Sequence, residues 1–173
     1  MSAAGRPMLV LVGMRGVGKT TVGRALAERL SLPFVDADAE IEARAGMPIP
    51  RIFAERGEPW FRALEAEVIG ELLTRANIVL ATGGGAVLDA TTRERLRTAY
   101  QVVWLKAAAD VLAARIAGSD RPSLTGADPA DELAAVLAVR EPLYREVSIH
   151  SIDVGERDAA AVVNQLFLWL MPV

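Results

Sequence analysis

The sequence predicts a single α/β domain built on five parallel strands, and two observations carry that prediction. Short apolar runs rich in β-branched residues alternate with longer segments of helical period, as expected when each strand returns to the sheet through a covering helix. The chain is 173 residues long and 52% hydrophobic, enough to fill one core and short for two.

Strands are expected at residues 8–12 (MLVLV), 33–36 (PFVD), 77–82 (NIVLAT), 101–106 (QVVWLK) and 149–153 (IHSID). MLVLV is apolar throughout, as a strand covered on both faces must be. Residues 18–30 follow, with Val22, Ala25, Leu26 and Leu30 on one helical face. After PFVD a helix is expected to begin near Ala39. Further helices are expected over 59–75, 89–99, 108–117, 129–146 and 158–170. Asp89 with Thr91 and Thr92, the Asp128-Pro129 pair, and Asp158 read as helix starts, since a short side-chain oxygen can accept from the free N–H groups of a first turn. Residues 118–128, GSDRPSLTGAD, are dense in turn formers and are expected to be mobile.

Charge and composition remove several classes of function. A net charge of −3 supplies no general basic field for nucleic acid, so any anion must be held by a local cluster. Cysteine is absent, which excludes disulfides and thiolate metal sites. The apolar run after Pro7 ends at Gly13, too soon for a signal-peptide core or a membrane span, and a cytoplasmic protein is expected.

The chemistry begins directly after the first strand. Gly13-Met14-Arg15-Gly16-Val17-Gly18-Lys19-Thr20 fits the pattern G-x-x-x-x-G-K-[ST] between an expected strand and an expected helix. Glycines there let backbone N–H groups turn toward phosphate oxygens, and the helix N-terminus adds partial positive charge. Lys19 then meets the β- and γ-phosphates and the Thr20 hydroxyl meets Mg²⁺. Lys19 is one of only two lysines in the chain. The strings N-K-x-D and D-x-x-G of a GTPase do not occur.

The acceptor side is read from three later stretches. Strand two ends in Phe34-Val35-Asp36-Ala37-Asp38, and alternation along an extended chain is expected to send Asp36 and Asp38 to one side, with either free to serve as a helix cap instead. Gly57-Glu58-Pro59-Trp60-Phe61-Arg62-Ala63-Leu64-Glu65 opens a helix whose Arg62 can grip a carboxylate or pair with Glu58 or Glu65. Gly83-Gly84-Gly85 after strand three lets backbone come close to a ligand. His150, the sole histidine, stands apart from these motifs and is expected to be structural.

Taken in order, GMRGVGKTT, FVDAD, IFAERGEPWFRALE, IVLATGGG, VVWL, DRPSLTG and REPLYREV make the chain resemble the shikimate kinases over nearly its whole length. The resemblance implies a three-layer P-loop kinase fold: a five-stranded parallel sheet of order 2-3-1-4-5 with helices on both faces. It implies one domain over 1–173, with a shikimate-binding region at about 36–64 and a lid at about 116–128. The implied reaction is transfer of the ATP γ-phosphoryl group to the 3-hydroxyl of shikimate. By motif position Asp38 would bind the ring hydroxyls, Arg62 and Arg140 the shikimate carboxylate, and Gly83, Gly84 and Gly85 the same pocket. Gly16, Val17, Gly18, Lys19, Thr20 and Thr21 would hold ATP, with Arg115 and Arg157 toward the adenine and Arg121 closing from the lid. Lys19, Asp38 and Arg121 would act catalytically, with Mg²⁺ near Thr20 and Asp36. From residues alone, Arg140 would read as a surface ion pair with Glu141 or Glu146. The expected partners are ATP and shikimate for a monomer, with no nucleic acid and no membrane; the rival readings are a kinase of another polyol acid such as gluconate and a non-catalytic ATP-binding or sensory module of this fold.

Overall fold

A computed structural model of the chain describes residues 7–99, 101–117 and 128–171. Five strands, β1 (Leu9–Val12), β2 (Phe34–Asp36), β3 (Val79–Ala81), β4 (Val102–Lys106) and β5 (His150–Asp153), form one sheet in the order β2-β3-β1-β4-β5. Every pairing is parallel, so all carboxyl ends open on one edge, where open α/β sheets bind their ligands. β1 lies between β3 and β4 at the centre, with Leu9 opposite Val79 and Val10 opposite Val102. Its four residues and the three of β3 are all buried, which requires a helical layer on each face.

Eight helices supply those layers among the described residues: α1 (Lys19–Leu30), α2 (Ala37–Ala45), α3 (Ile49–Arg56), α4 (Glu58–Leu72), α5 (Ala90–Arg97), α6 (Ala109–Ile116), α7 (Pro129–Val147) and α8 (Ala159–Leu170). Helix α1 packs on α8, and α7 packs on α5, α6 and β4. Leu9, Leu26, Ile41, Ile69, Leu80, Leu105 and Leu112 meet in one core, each fully withdrawn from water and each contributing about 1.5–3 kcal/mol. No helix among the described residues is long and apolar enough to cross a membrane.

The expected helix starts are present. Asp89 accepts from Thr92 N at 2.7 Å, Asp128 from Ala130 N at 2.9 Å and Asp158 from Ala160 N at 3.1 Å, each cap worth about 1 kcal/mol. Two boundaries differ from expectation for local reasons. β3 starts at Val79 rather than 77 because Asn77 sits in the left-handed region at φ 56°. Helix α3 falls in a stretch with no expected element, where Pro48 and Pro50 argue against a helix. Both occupy the cap and first turn, where proline is tolerated, and Glu42 Oε1 accepts from Ile49 N at 2.8 Å in place of a local cap. His150 begins β5 with its ring 4.5 Å from that of Trp169, a packing role away from the cleft described below.

Candidate active site

The turn from β1 into α1 ends at Gly18, whose φ of 103° suits glycine, and no side chain caps α1 there. The first-turn N–H groups, with the dipole behind them, are thus left at the mouth of a cleft of about 550 Å³ lined by Gly16, Gly18, Lys19, Thr20 and Thr21. Lys19 is buried, and its Nζ donates to the carbonyls of Gly13 at 2.7 Å and Met14 at 2.9 Å. Burial pulls its ammonium down to about 8, against the opposing charges of Asp38 and Asp36.

Asp36 and Asp38 line the same cleft, but not through strand alternation. β2 stops at Asp36, which caps α2: its Oδ1 accepts from Asp38 N at 3.0 Å, so Asp38 projects from a first helical turn. The other oxygen, Oδ2, accepts from the Thr20 hydroxyl at 2.9 Å. The capping and cleft-facing readings of Asp36 are therefore both true. Thr20 and Asp36 offer two hard oxygen donors side by side, a set that suits Mg²⁺, which keeps several waters and takes one or two protein oxygens besides substrate phosphates.

The residues expected to hold the acceptor gather around the glycines after β3. Gly83 and Gly84 line the cleft. A methyl on Gly83 would stand 2.8 Å from Asp38 Oδ1 and 2.9 Å from Glu65 Oε1, so two carboxylates crowd one Cα. On Gly84 it would meet Arg15 N at 3.1 Å, Gly13 O at 3.4 Å and an Arg140 guanidinium nitrogen at 3.5 Å; this is where cradle and acceptor pocket touch. On Gly85 it would collide with the Arg62 guanidinium. Arg62 makes both ion pairs open to it, with Glu65 at 2.7 Å and Glu58 at 3.3 Å. Arg140 does not take the surface pairing that its neighbours suggest: Glu141 pairs with Arg145 at 2.7 Å and Glu146 with Arg93 at 3.1 Å, and Arg140 turns inward to Gly84.

Two residues of this pocket stand outside the sequence-based set. Glu65 is nearly buried, and burial pushes its carboxyl up despite the pull of Arg62. Its signal was the three-residue spacing from Arg62, which also fits an ordinary helical ion pair. Tyr144, fully buried, donates its hydroxyl to Gly84 O at 2.5 Å. Nothing local in REPLYREV predicts that bond, which spans 60 residues.

The arginines expected on the nucleotide side lie in two settings. Arg115 donates to Val17 O at 3.3 Å, Val154 O at 2.9 Å and Gly155 O at 3.3 Å, tying the cradle to the loop after β5. Arg157 is exposed and donates to Gln165 Oε1 on α8 at 2.6 Å. Arg121, with most of the expected lid, falls outside the described residues.

The family model for shikimate kinase matches residues 15–171. A shikimate kinase of Nitrobacter winogradskyi is 56% identical over 156 residues, which cover 90% of this chain and 71% of that one. One of Rhodopseudomonas palustris is 52% identical over 150 residues, 86% of this chain and 74% of the relative. Among solved structures, the shikimate kinase of Acinetobacter baumannii in complex with shikimate superposes with a TM-score of 0.89 at 40% identity, covering 95% of this chain and 92% of that one.

Proposed function

The chain belongs to the shikimate kinase family, and we propose that its cleft moves the γ-phosphoryl group of ATP onto the 3-hydroxyl of shikimate, giving shikimate 3-phosphate and ADP. ATP-dependent shikimate phosphorylation is a step toward chorismate and the aromatic amino acids. The observation that carries the reading is the meeting of a phosphate cradle and an acceptor pocket in one cleft, with Lys19, Asp38, Gly83 and Gly84 on its wall.

Gly16, Val17, Gly18, Thr20 and Thr21 hold the ATP phosphates through the loop and the first turn of α1, with Lys19 on the β- and γ-phosphates. Arg115 and Arg157 belong to the base side. Thr20 and Asp36 hold Mg²⁺, which when bound neutralises phosphate charge. On the other side Arg62, fixed by Glu58 and Glu65, and Arg140 grip the carboxylate of shikimate, while Gly83, Gly84 and Gly85 line the ring. Asp38 accepts the proton of the 3-hydroxyl as its oxygen bonds to the γ-phosphorus; the bond from that phosphorus to the β-bridging oxygen breaks and ADP leaves. Arg121 is assigned on sequence alone, as the lid cation that adds charge and helps to exclude water. One domain spans 1–173 in this proposal, with about 36–64 serving shikimate and about 116–128 serving as lid.

The test is coupled ADP release over a panel of acceptors. ADP should appear with shikimate and stay at background with gluconate or with no acceptor. Equal release with gluconate, or none with shikimate, would refute the assignment.

A further inference from the structure

Tyr144 lies one helical turn beyond Arg140 on α7, so the two side chains share a face. Its ring stacks on Trp104 with centroids 5.8 Å apart, which already accounts for burying an aromatic group. Packing does not account for the hydroxyl. A phenol has one proton to donate and lone pairs to accept with. The proton goes to Gly84 O at 2.5 Å, and the Arg140 guanidinium stands close enough to the phenol oxygen for its charge to oppose the effect of burial there. Burial raises the phenol to about 12, so it stays a neutral donor through the physiological range. Pro142 stands between these two residues inside α7 and has no N–H for the helix ladder, so the backbone holds this turn less firmly.

We propose that the Tyr144 hydroxyl is a positioning group for the acceptor: it sets the Arg140 fork and the Gly84 peptide together, so that both meet the shikimate carboxylate without Tyr144 touching it. The proposal rests on the reading above that Arg140 grips that carboxylate. It makes the link through Gly84, whose backbone also abuts Arg15 and Gly13 of the cradle.

Tyr144→Phe keeps the ring, the stacking on Trp104 and nearly all the volume, and removes only the oxygen. Losing the hydroxyl, and with it the hydrogen bond that holds Gly84 and the oxygen beside the Arg140 guanidinium, should raise KM for shikimate about tenfold. KM for ATP should stay within about twofold, since the cradle keeps its own contacts. In the Arg140→Ala background the same change should raise shikimate KM by no more than about twofold, because only the Gly84 peptide is left to be positioned. An unchanged shikimate KM, an equal rise in both KM values, or the same tenfold effect without Arg140 would overturn the proposal. If the Phe variant does not fold, the wild-type protein labelled with 3-fluorotyrosine serves: it holds two tyrosines, and Tyr100→Phe assigns their signals. The Tyr144 fluorine signal should move on adding shikimate, and an unmoved signal would overturn the proposal. Wild-type protein that releases no ADP with shikimate refutes the functional reading itself, an outcome distinct from all of these.

Discussion

The two halves of the cleft are made differently. The half proposed for the nucleotide is backbone: ten or so consecutive residues between β1 and α1 supply N–H groups, a helix end and one lysine, all fixed by the central strand of the sheet. The half proposed for the acceptor is side chains from α2, α4 and α7 meeting over a glycine turn, with Asp38, Arg62 and Arg140 more than 20 residues apart from one another in the chain. A backbone site is specified by where a loop sits, whereas a convergent site is specified by how each side chain is held from behind. Glu65 behind Arg62 and Tyr144 beneath Gly84 are those supports.

The contrast is sharpest where one substitution strikes one half. Lys19→Met should lower turnover by about 10³ or more, because the ammonium proposed to meet the transferring phosphate is lost; single-turnover kinetics checks it. A loss below tenfold would mean that the cradle's N–H groups suffice alone. Asp38→Asn should lower kcat by about 10² or more and leave ATP affinity nearly intact, read by steady-state rates beside nucleotide titration. Weaker ATP binding would move Asp38 into the other half.

Arg62→Ala should raise shikimate KM by about 10- to 100-fold with a smaller change in kcat, the mark of lost ground-state binding to a carboxylate. An effect confined to ATP would break the division. The smallest effect is a proton. Burial holds the Lys19 ammonium at about 8, below its ordinary 10.5, so free protein loses this charge as pH rises through 8, while bound phosphates favour keeping it. ATP binding should therefore weaken above pH 8 and take up about half a proton at pH 8, falling toward none near pH 6.5. Calorimetry in buffers of different ionisation enthalpy measures that uptake, and zero uptake at pH 8 would contradict the shifted lysine.

The same contrast explains what could be read from the chain. The strands, the sheet order that the resemblance implied and the cradle were legible, because each is a contiguous pattern with a fixed period or spacing. The aspartate pair was legible as chemistry but not as geometry: the cap that Asp36 forms on α2 turns Asp38 out of the strand's alternation. Helix α3 stayed hidden because prolines that read as breakers sit in its first turn. For Arg140 the neighbouring glutamates misled, since helical spacing cannot tell which of several carboxylates other arginines will take. Glu65 and Tyr144 carried no distinctive signal, because their partners are set only when α4, α7 and the turn after β3 meet.

Asp36 belongs to neither half alone. One of its oxygens fixes the start of the helix bearing Asp38, and the other holds the hydroxyl at the start of the helix bearing Lys19. A carboxylate committed in both directions has no slack, and lengthening it to glutamate would displace donor and recipient together. Evolution can retune the recipient pocket through α4 and α7 without disturbing the donor, but at residue 36 every change is pleiotropic, which makes this position a poor place to seek altered acceptor preference and a good one to seek total loss.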